Sequence, residues 1–217
     1  MSRSVKKPRI LFAASECAPF VKTGGLADVA GALPAALARR GYDVRVALPL
    51  YQRIRRAYGE ELTHLYDGKI RLGWREQFLG VETMAREGVV YYFIDNEFYF
   101  GRESIYGVFN CDEAERFGFF SKAIVEIMAR LDFYPKVLHL NDWQTGMAAA
   151  LLKTQYAHIP EYARVKALFT IHNLRFQGVF DRGFTDELLS LGPPALDPDA
   201  LEYCGCVSYM KGGLAYA

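Results

Sequence analysis

Cysteine is scarce: four residues in 217, at Cys17, Cys111, Cys204 and Cys206. That is too few and too scattered for a disulfide scaffold. Only Cys204 and Cys206 lie close together, as C-x-C, and no second C-x-x-C or histidine pair accompanies them, so zinc is poorly supported. Reduced, half-buried thiols of a cytosolic protein are expected, and no metal ligand set is assigned. No apolar run approaches a membrane span. A formal net charge of +1 and dispersed basic residues give no electrostatic case for nucleic acid or a membrane surface. The exception is the leader "SRSVKKPR". The apolar run after it is interrupted at Ser15 and Glu16, too soon for a signal peptide, so residues 1–8 read as a disordered basic leader. Cytoplasmic localisation is the expectation. Repeats, low-complexity tracts, a Walker loop, G-x-G-x-x-G and a Ser/His/Asp or Cys/His nucleophile pattern are all missing.

What is present is a 51% hydrophobic chain long enough to bury roughly 70% of its unfolded surface without staples. "RILFAA" (9–14) reads as a buried parallel-type strand. Leu26, Val29, Ala30, Leu33 and Leu37 then recur at helical spacing until Arg39, Arg40 and Gly41 end the helix, with Pro34 implying a kink or restart. "DVRVALPLY" alternates as a strand, which completes a right-handed βαβ unit. From Lys69 to Asp95 three strands with short turns suggest a β-meander beside a parallel sheet. The segment "NEFYFGRESIYGVFN" has no clear period and reads as an ordered functional loop. Phe117, Phe120, Ile124, Ile127 and Leu131 mark the clearest helix, with Asp112 and Glu113 in its first turn. "KVLHLND", "WQTGMAAALLKTQYA" and "RVKALFTIHN" supply a second βαβ. The fold class is α/β, doubly wound and Rossmann-like, with a mostly parallel sheet and an inserted meander.

Ligands of such sheets bind beyond the carboxyl ends of the strands. Three of these ends are polar: "KTGGLAD" (22–28), "HLNDWQTG" (139–146) and "HNLRFQG" (172–178). Gly24 and Gly25 let a backbone approach a ligand closely, and helix N–H groups beside Lys22 suit a phosphate. The same pattern also fits a plain βα turn with a surface lysine. His139 reads as a core histidine. Asp142 is either an N-cap or a ligand contact. Trp143 either stacks on a sugar or packs beneath the sheet. His172 and Asn173 emerge at the sheet's edge, and convergence of the three ends on one crevice would point to an anionic or polyhydroxylated ligand.

Taken together, "SECAPFVKTGGLADVAGALPAALARRGYDVRVALPLY", "LHLNDWQTG", "FTIHNLRFQGVF" and "SYMKGGLAYA" closely resemble the N-terminal domain of bacterial glycogen synthases and plant starch synthases. The resemblance runs from about Arg9 to Ala217. It implies the N-terminal, acceptor-side half of a GT-B glycosyltransferase. Such an enzyme transfers glucose from ADP-glucose to the non-reducing end of an α-1,4-glucan, with retention and without a metal or other cofactor. By the same resemblance Lys22, Gly24 and Gly25 meet the donor's phosphates and sugar, and Asp28 contacts the donor. Asp142 and His172, with Asn173 beside them, line the glucosyl pocket as the catalytic group, and Tyr106 touches donor or acceptor. Asn141 and Gln144 stand where many members of the family carry histidines.

The family's C-terminal domain, with most nucleotide contacts and an E-x7-E segment, has no counterpart in these residues. An acceptor-side domain inactive on its own is therefore expected. A free-standing glucan-binding or regulatory module is the competing reading, and donor base preference is not legible here. In an enzyme containing both domains, Lys22→Ala is expected to cut turnover strongly with the fold intact. Steady-state kinetics with a circular dichroism control tests this, and near-normal turnover would return Lys22 to a surface residue.

Overall fold

The computed structural model describes residues 7–107 and 110–217. The first six positions of the basic leader lie outside the described residues, as do Val108 and Phe109 of the aromatic segment. In chain order the elements are β1 (Arg9–Ala13), α1 (Gly25–Arg39), β2 (Asp43–Pro49), α2 (Gln52–Tyr58), β3 (Thr63–Leu72), β4 (Arg75–Arg86) and β5 (Val89–Asp95). There follow α3 (Glu97–Phe100), α4 (Asn110–Arg130), β6 (Val137–Asn141), α5 (Trp143–Thr154), α6 (Pro160–Ala163) and β7 (Lys166–Thr170). The remainder is β8 (Val179–Phe180), α7 (Arg182–Leu189), β9 (Glu202–Tyr203), β10 (Cys206–Ser208) and α8 (Tyr209–Tyr216).

Seven strands form one sheet in the order β3-β4-β5-β2-β1-β6-β7. Only β4 runs against the others, because its ladders with β3 and β5 are antiparallel while the remaining pairs are parallel. The chain winds outward from β1 through β2 to β5, returns to the other side of β1 as β6, and winds outward again to β7. Right-handed crossovers in opposite directions place the helices on both faces, which makes the domain doubly wound. The switch between the two directions falls between β1 and β6. The meander is continuous with the parallel sheet rather than beside it, since β5 pairs with β2. β3 also begins six residues before the expected Lys69, at Thr63. Its early residues alternate between exposed and half-buried, so composition alone hides the strand.

Pro34 does not break the first helix. α1 runs unbroken from Gly25 to Arg39 with Pro34 buried in it, and packing of that ring offsets the hydrogen bond its missing N–H forfeits. The aromatic segment after β5 is more ordered than a loop. Asn96 caps α3 by accepting from the Tyr99 amide, and Tyr99, Phe100 and Ile105 are core residues. Phe117, Phe120, Ile124 and Ile127 of α4 are buried as their spacing predicts, and each such side chain contributes about 1.5–3 kcal/mol. Two of the expected half-buried thiols are exposed, Cys111 and Cys204, while Cys17 is buried and only Cys206 is intermediate; all four are free. Among the described residues no helix is long and apolar enough to cross a membrane.

α8 packs through glycine against α5 on one side and β7 on the other. A Cβ on Gly146 would lie 2.0 Å from the Tyr209 carbonyl oxygen, and one on Gly213 would lie 2.5 Å from the Phe169 ring. The first obstacle is backbone and has no rotamer to escape into. Gly146→Ala is therefore expected to destabilise the domain by at least about 1–3 kcal/mol, read from chemical denaturation. An unchanged midpoint would show that the two helices can separate without cost.

Candidate functional site

The carboxyl ends of β1, β6 and β7 converge on a cavity of about 700 Å³. Gly24, Gly25, Tyr106, Asp142, His172 and Asn173 all line it. Two sequence candidates do not. Lys22 and Asp28 pair with each other at 2.7 Å, with side chains 55% and 58% exposed, and neither belongs to the wall. An ion pair this exposed is weak, so Lys22 is readily released to another anion.

The glycine turn is organised by a residue that sequence reasoning passed over. Glu16, only 3% exposed, follows the strand that the apolar run ends in. Its carboxylate accepts from the backbone N–H of Thr23 and, at 3.2 Å, from that of Gly24. It also accepts from Thr23 Oγ1 at 2.7 Å and from the Tyr106 hydroxyl at 2.5 Å. The N–H groups of Thr23 and Gly24, just before the helix, are thus occupied by an internal anion. The first turn of α1 itself begins at Gly25 with no side-chain cap, and Gly25 and Leu26 line the cavity. Those are the amides left to meet a ligand's negative charge. The signal for Glu16 was its placement: an acid directly after a buried strand needs a partner to remain there.

Tyr106 reaches Glu16 from the far side of the cavity because α4 holds its segment. Arg116 is fully buried and donates to the carbonyls of Tyr99 and Ile105, each at 2.9 Å. It also pairs with Glu113 at 3.3 Å, and Glu113 accepts from the Gly107 amide at 2.6 Å. Burial first, then the neighbouring Tyr51 and Glu16, raises the Tyr106 pKa, so its phenol stays a neutral donor.

Of the two roles its position suggested, Asp142 does not fill the capping one, though it does line the cavity. It occupies the N-cap position of α5 without capping it, and its backbone sits at φ 58, ψ 175. That region is almost reserved for glycine and costs a non-glycine residue about 1–3 kcal/mol. The carboxylate instead crosses to the next strand end, where Oδ1 accepts from the amides of His172 at 2.7 Å and Asn173 at 3.2 Å. Asn141 reinforces the junction. Its Nδ2 donates to the Ala13 carbonyl at 3.0 Å, and its Oδ1 lies 2.9 Å from His172 Nε2. An accepting oxygen there calls for a proton on Nε2. Gln144 also lines the cavity, and its Oε1 finds no donor among the described residues. Trp143 packs rather than displaying a face, 6% exposed against Phe117, Phe180 and Tyr209.

The arrangement defines a class: a doubly wound domain whose switch-point crevice offers uncapped helix amides, an oriented imidazole and buried carboxylates to a polar ligand. Comparison with known proteins makes it specific. The family model for the starch synthase catalytic domain matches residues 9–217, and the chain belongs to that family. A glycogen synthase from Desulforamulus reducens is 49% identical over 209 residues, covering 96% of this chain and 43% of the relative. One from Geobacillus stearothermophilus is 48% identical over 206 residues, covering 95% of this chain and 42% of the relative. The solved catalytic domain of starch synthase IV from Arabidopsis thaliana, bound to ADP and acarbose, superimposes with a TM-score of 0.81 at 27% identity. That alignment covers 97% of this chain and 43% of the plant chain. The chain therefore spans less than half the length of the proteins it matches.

His139 is the core histidine its strand position predicted. It meets Phe12 edge-on at 4.7 Å, and its Nε2 lies 2.8 Å from Thr170 Oγ1. Burial, with a smaller contribution from His172, lowers its pKa from 6.5 to about 4. Between those values the unfolded chain binds a proton that the folded one refuses, so stability falls as pH drops through that window. The loss below it is up to about 3 kcal/mol. Urea midpoints measured from pH 7 to pH 4 are expected to show this slope, and His139→Gln is expected to remove most of it. An identical slope in the variant would assign the acid sensitivity to other groups.

Proposed function

We propose that this domain is the N-terminal, acceptor-side half of an ADP-glucose-dependent α-1,4-glucan synthase, residues 9–217 forming one Rossmann-like unit. The whole protein transfers glucose to the non-reducing end of a glycogen-like glucan with retention at the anomeric carbon. The observation that carries the reading is the convergence of the three polar strand ends on one cavity. Family membership and the ADP and acarbose bound by the plant neighbour support it.

In this reading the departing diphosphate meets the uncapped first turn of α1, where Gly24 and Gly25 leave nothing within 4 Å of a would-be side chain. Lys22, released from Asp28, adds a cation as negative charge develops on the leaving oxygen. His172, held by Asn141 and by the Asp142 carboxylate, presents a fixed polar edge to the transferred sugar. Asp142 adds negative potential near the anomeric carbon, where an oxocarbenium-like state gathers positive charge. Tyr106 and Asn173 complete the wall on the acceptor side. Most nucleotide contacts fall to a C-terminal domain, and donor base selectivity with them. The four free cysteines fit a reducing compartment, and we place the reaction in the cytoplasm.

Calorimetric titration of the 217-residue chain with maltoheptaose and then ADP-glucose tests the assignment. Glucan binding with little donor binding is expected, and Asp142→Ala is expected to weaken it at least about tenfold by freeing the His172 segment. A thermal melt separates that effect from unfolding. Tight ADP-glucose binding by the chain alone would overturn the acceptor-side assignment, and binding of neither ligand by a folded chain would overturn the glucan reading of this domain.

A further inference from the structure

The C-x-C pair, which the crevice leaves unused, sits at the tip of a hairpin. β9 and β10 pair antiparallel, Tyr203 opposite Cys206 and Glu202 opposite Val207, so Cys204 and Gly205 form a two-residue turn. Both turn residues take positive φ, +51 and +79, as a type I′ hairpin turn requires. Glycine adopts that region freely, whereas a cysteine there is strained. The turn therefore resists rearrangement less than one with glycine or asparagine in its first position. Space is open around it, since a Cβ on Gly205 would meet nothing within 4 Å.

The two thiols differ in access but share a reach. Cys204 is exposed, Cys206 is half-buried, and both are free. Two residues of chain span at most about 7 Å, and a disulfide joins Cα atoms about 4.4–6.8 Å apart. A turn shortens that span, so the backbone keeps the pair within bridging distance. Among the described residues no group of three or more histidine, cysteine, aspartate or glutamate side chains could hold a metal ion. Two accessible thiols without further ligands suit exchange with disulfides rather than a zinc site.

Both flanks of the turn are pinned. Lys211 Nζ donates to the carbonyls of Pro198 and Glu202, the latter at 2.7 Å. The Ser208 amide donates to the Leu201 carbonyl at 3.0 Å, and Val207 is wholly buried. A change at the tip therefore falls on Tyr203, which is 44% exposed between the pinned flanks. Tyr203 lines a second chamber of about 500 Å³. That chamber shares Gly107, Glu113, Trp143 and Phe176 with the main cavity as a common wall.

We propose that Cys204 and Cys206 are a thiol–disulfide switch, reduced at rest and closed by a small-molecule disulfide such as glutathione disulfide, that displaces Tyr203 from its place at the crevice. The exposed Cys204 thiolate, its proton given to solvent, attacks one sulfur of glutathione disulfide. That S–S bond breaks, a mixed disulfide forms on Cys204, and one glutathione thiolate leaves. Cys206, as thiolate, then attacks Cys204 Sγ and expels the second glutathione thiolate. Two protein thiols are oxidised, one small disulfide is reduced to two thiols, and the leaving thiolates take up the two protons. Closing the ring through Gly205 disturbs the Tyr203–Cys206 pair and the bond from the Gly205 amide to Glu202 Oε1 at 2.6 Å. The switch does not depend on which ligand the crevice takes.

The test is mass spectrometry and hydrogen exchange of the complete 217-residue chain after exposure to glutathione disulfide. The segment holding Cys204 and Cys206 is expected to lose two hydrogens and become inert to alkylation at both residues, and dithiothreitol is expected to restore it. Cys111, exposed and without a second cysteine in its own segment, is expected to carry only a glutathione adduct. Cys206→Ser is expected to trap that adduct on Cys204. In the bridged chain, amide exchange from Tyr203 to Cys206 is expected to quicken at least about tenfold, with α4 and α5 unchanged. A stable glutathione adduct on Cys204 of the unsubstituted chain overturns the proposal, as does a pair that stays open to alkylation. A bridge that leaves exchange at Tyr203 unaltered overturns the coupling to the crevice, and with it the switch.

Discussion

The carboxylate of Glu16 is the anchor on which the crevice is built. A parallel sheet delivers its strand ends to one edge, where backbone amides and carbonyls outnumber the partners that secondary structure can supply. Glu16 meets that demand at the end of β1 by taking the amides of Thr23 and Gly24, the Thr23 hydroxyl and the Tyr106 phenol. These contacts draw the glycine turn and the segment before α4 toward the same point, so the cavity has two facing walls. Removing the carboxylate would release the Thr23 and Gly24 amides on one side and the Tyr106 phenol on the other, and the two walls would lose their common partner. Arg116 backs the same arrangement from inside α4, since the carbonyls it holds fix the stretch that carries Tyr106.

At the opposite wall the chemistry is similar, with strain added. Asp142 adopts a backbone conformation natural to glycine so that its carboxylate can turn away from α5 and toward the end of β7. Asn141 then ties three strands at one point through Ala13, His139 and His172. The domain therefore holds its imidazole by the backbone and by the ring at once. A histidine fixed at both places can present one nitrogen in a constant direction, which a flexible surface histidine cannot do.

Periodicity and strand-end chemistry made the fold legible because both depend on residues near one another in sequence. β1, β6, β7 and α4 follow directly from their apolar spacing, and the crossover rule orders them. The early half of β3 was hidden because an exposed edge strand needs no apolar alternation. Pro34 misled for a related reason: its penalty is local, whereas the packing that offsets it is tertiary. At the site, Asp142, His172 and the two glycines stand out as polar or flexible residues at strand ends. Glu16 and Asn141 did not, since each gains its meaning from partners on other segments: Glu16 from Tyr106, ninety residues away, and Asn141 from His172, thirty-one away. The ion pair of Lys22 with Asp28 is likewise a matter of side-chain direction, which spacing does not encode.

The uneven burial of the thiols has a use outside catalysis. Cys17 is enclosed and its pKa is pushed up to about 12 by burial, so at neutral pH it is almost wholly the unreactive thiol. Cys204 is exposed in the turn directly after Tyr203, and Cys111 is exposed at the start of α4, four residues beyond Gly107 of the shared wall. Cys204 thus offers a labelling handle beside Tyr203, a residue of the cleft's outer wall, while the thiol in the core is silent. A fluorophore attached there, without engineering, would report occupancy of the cleft as a change in emission.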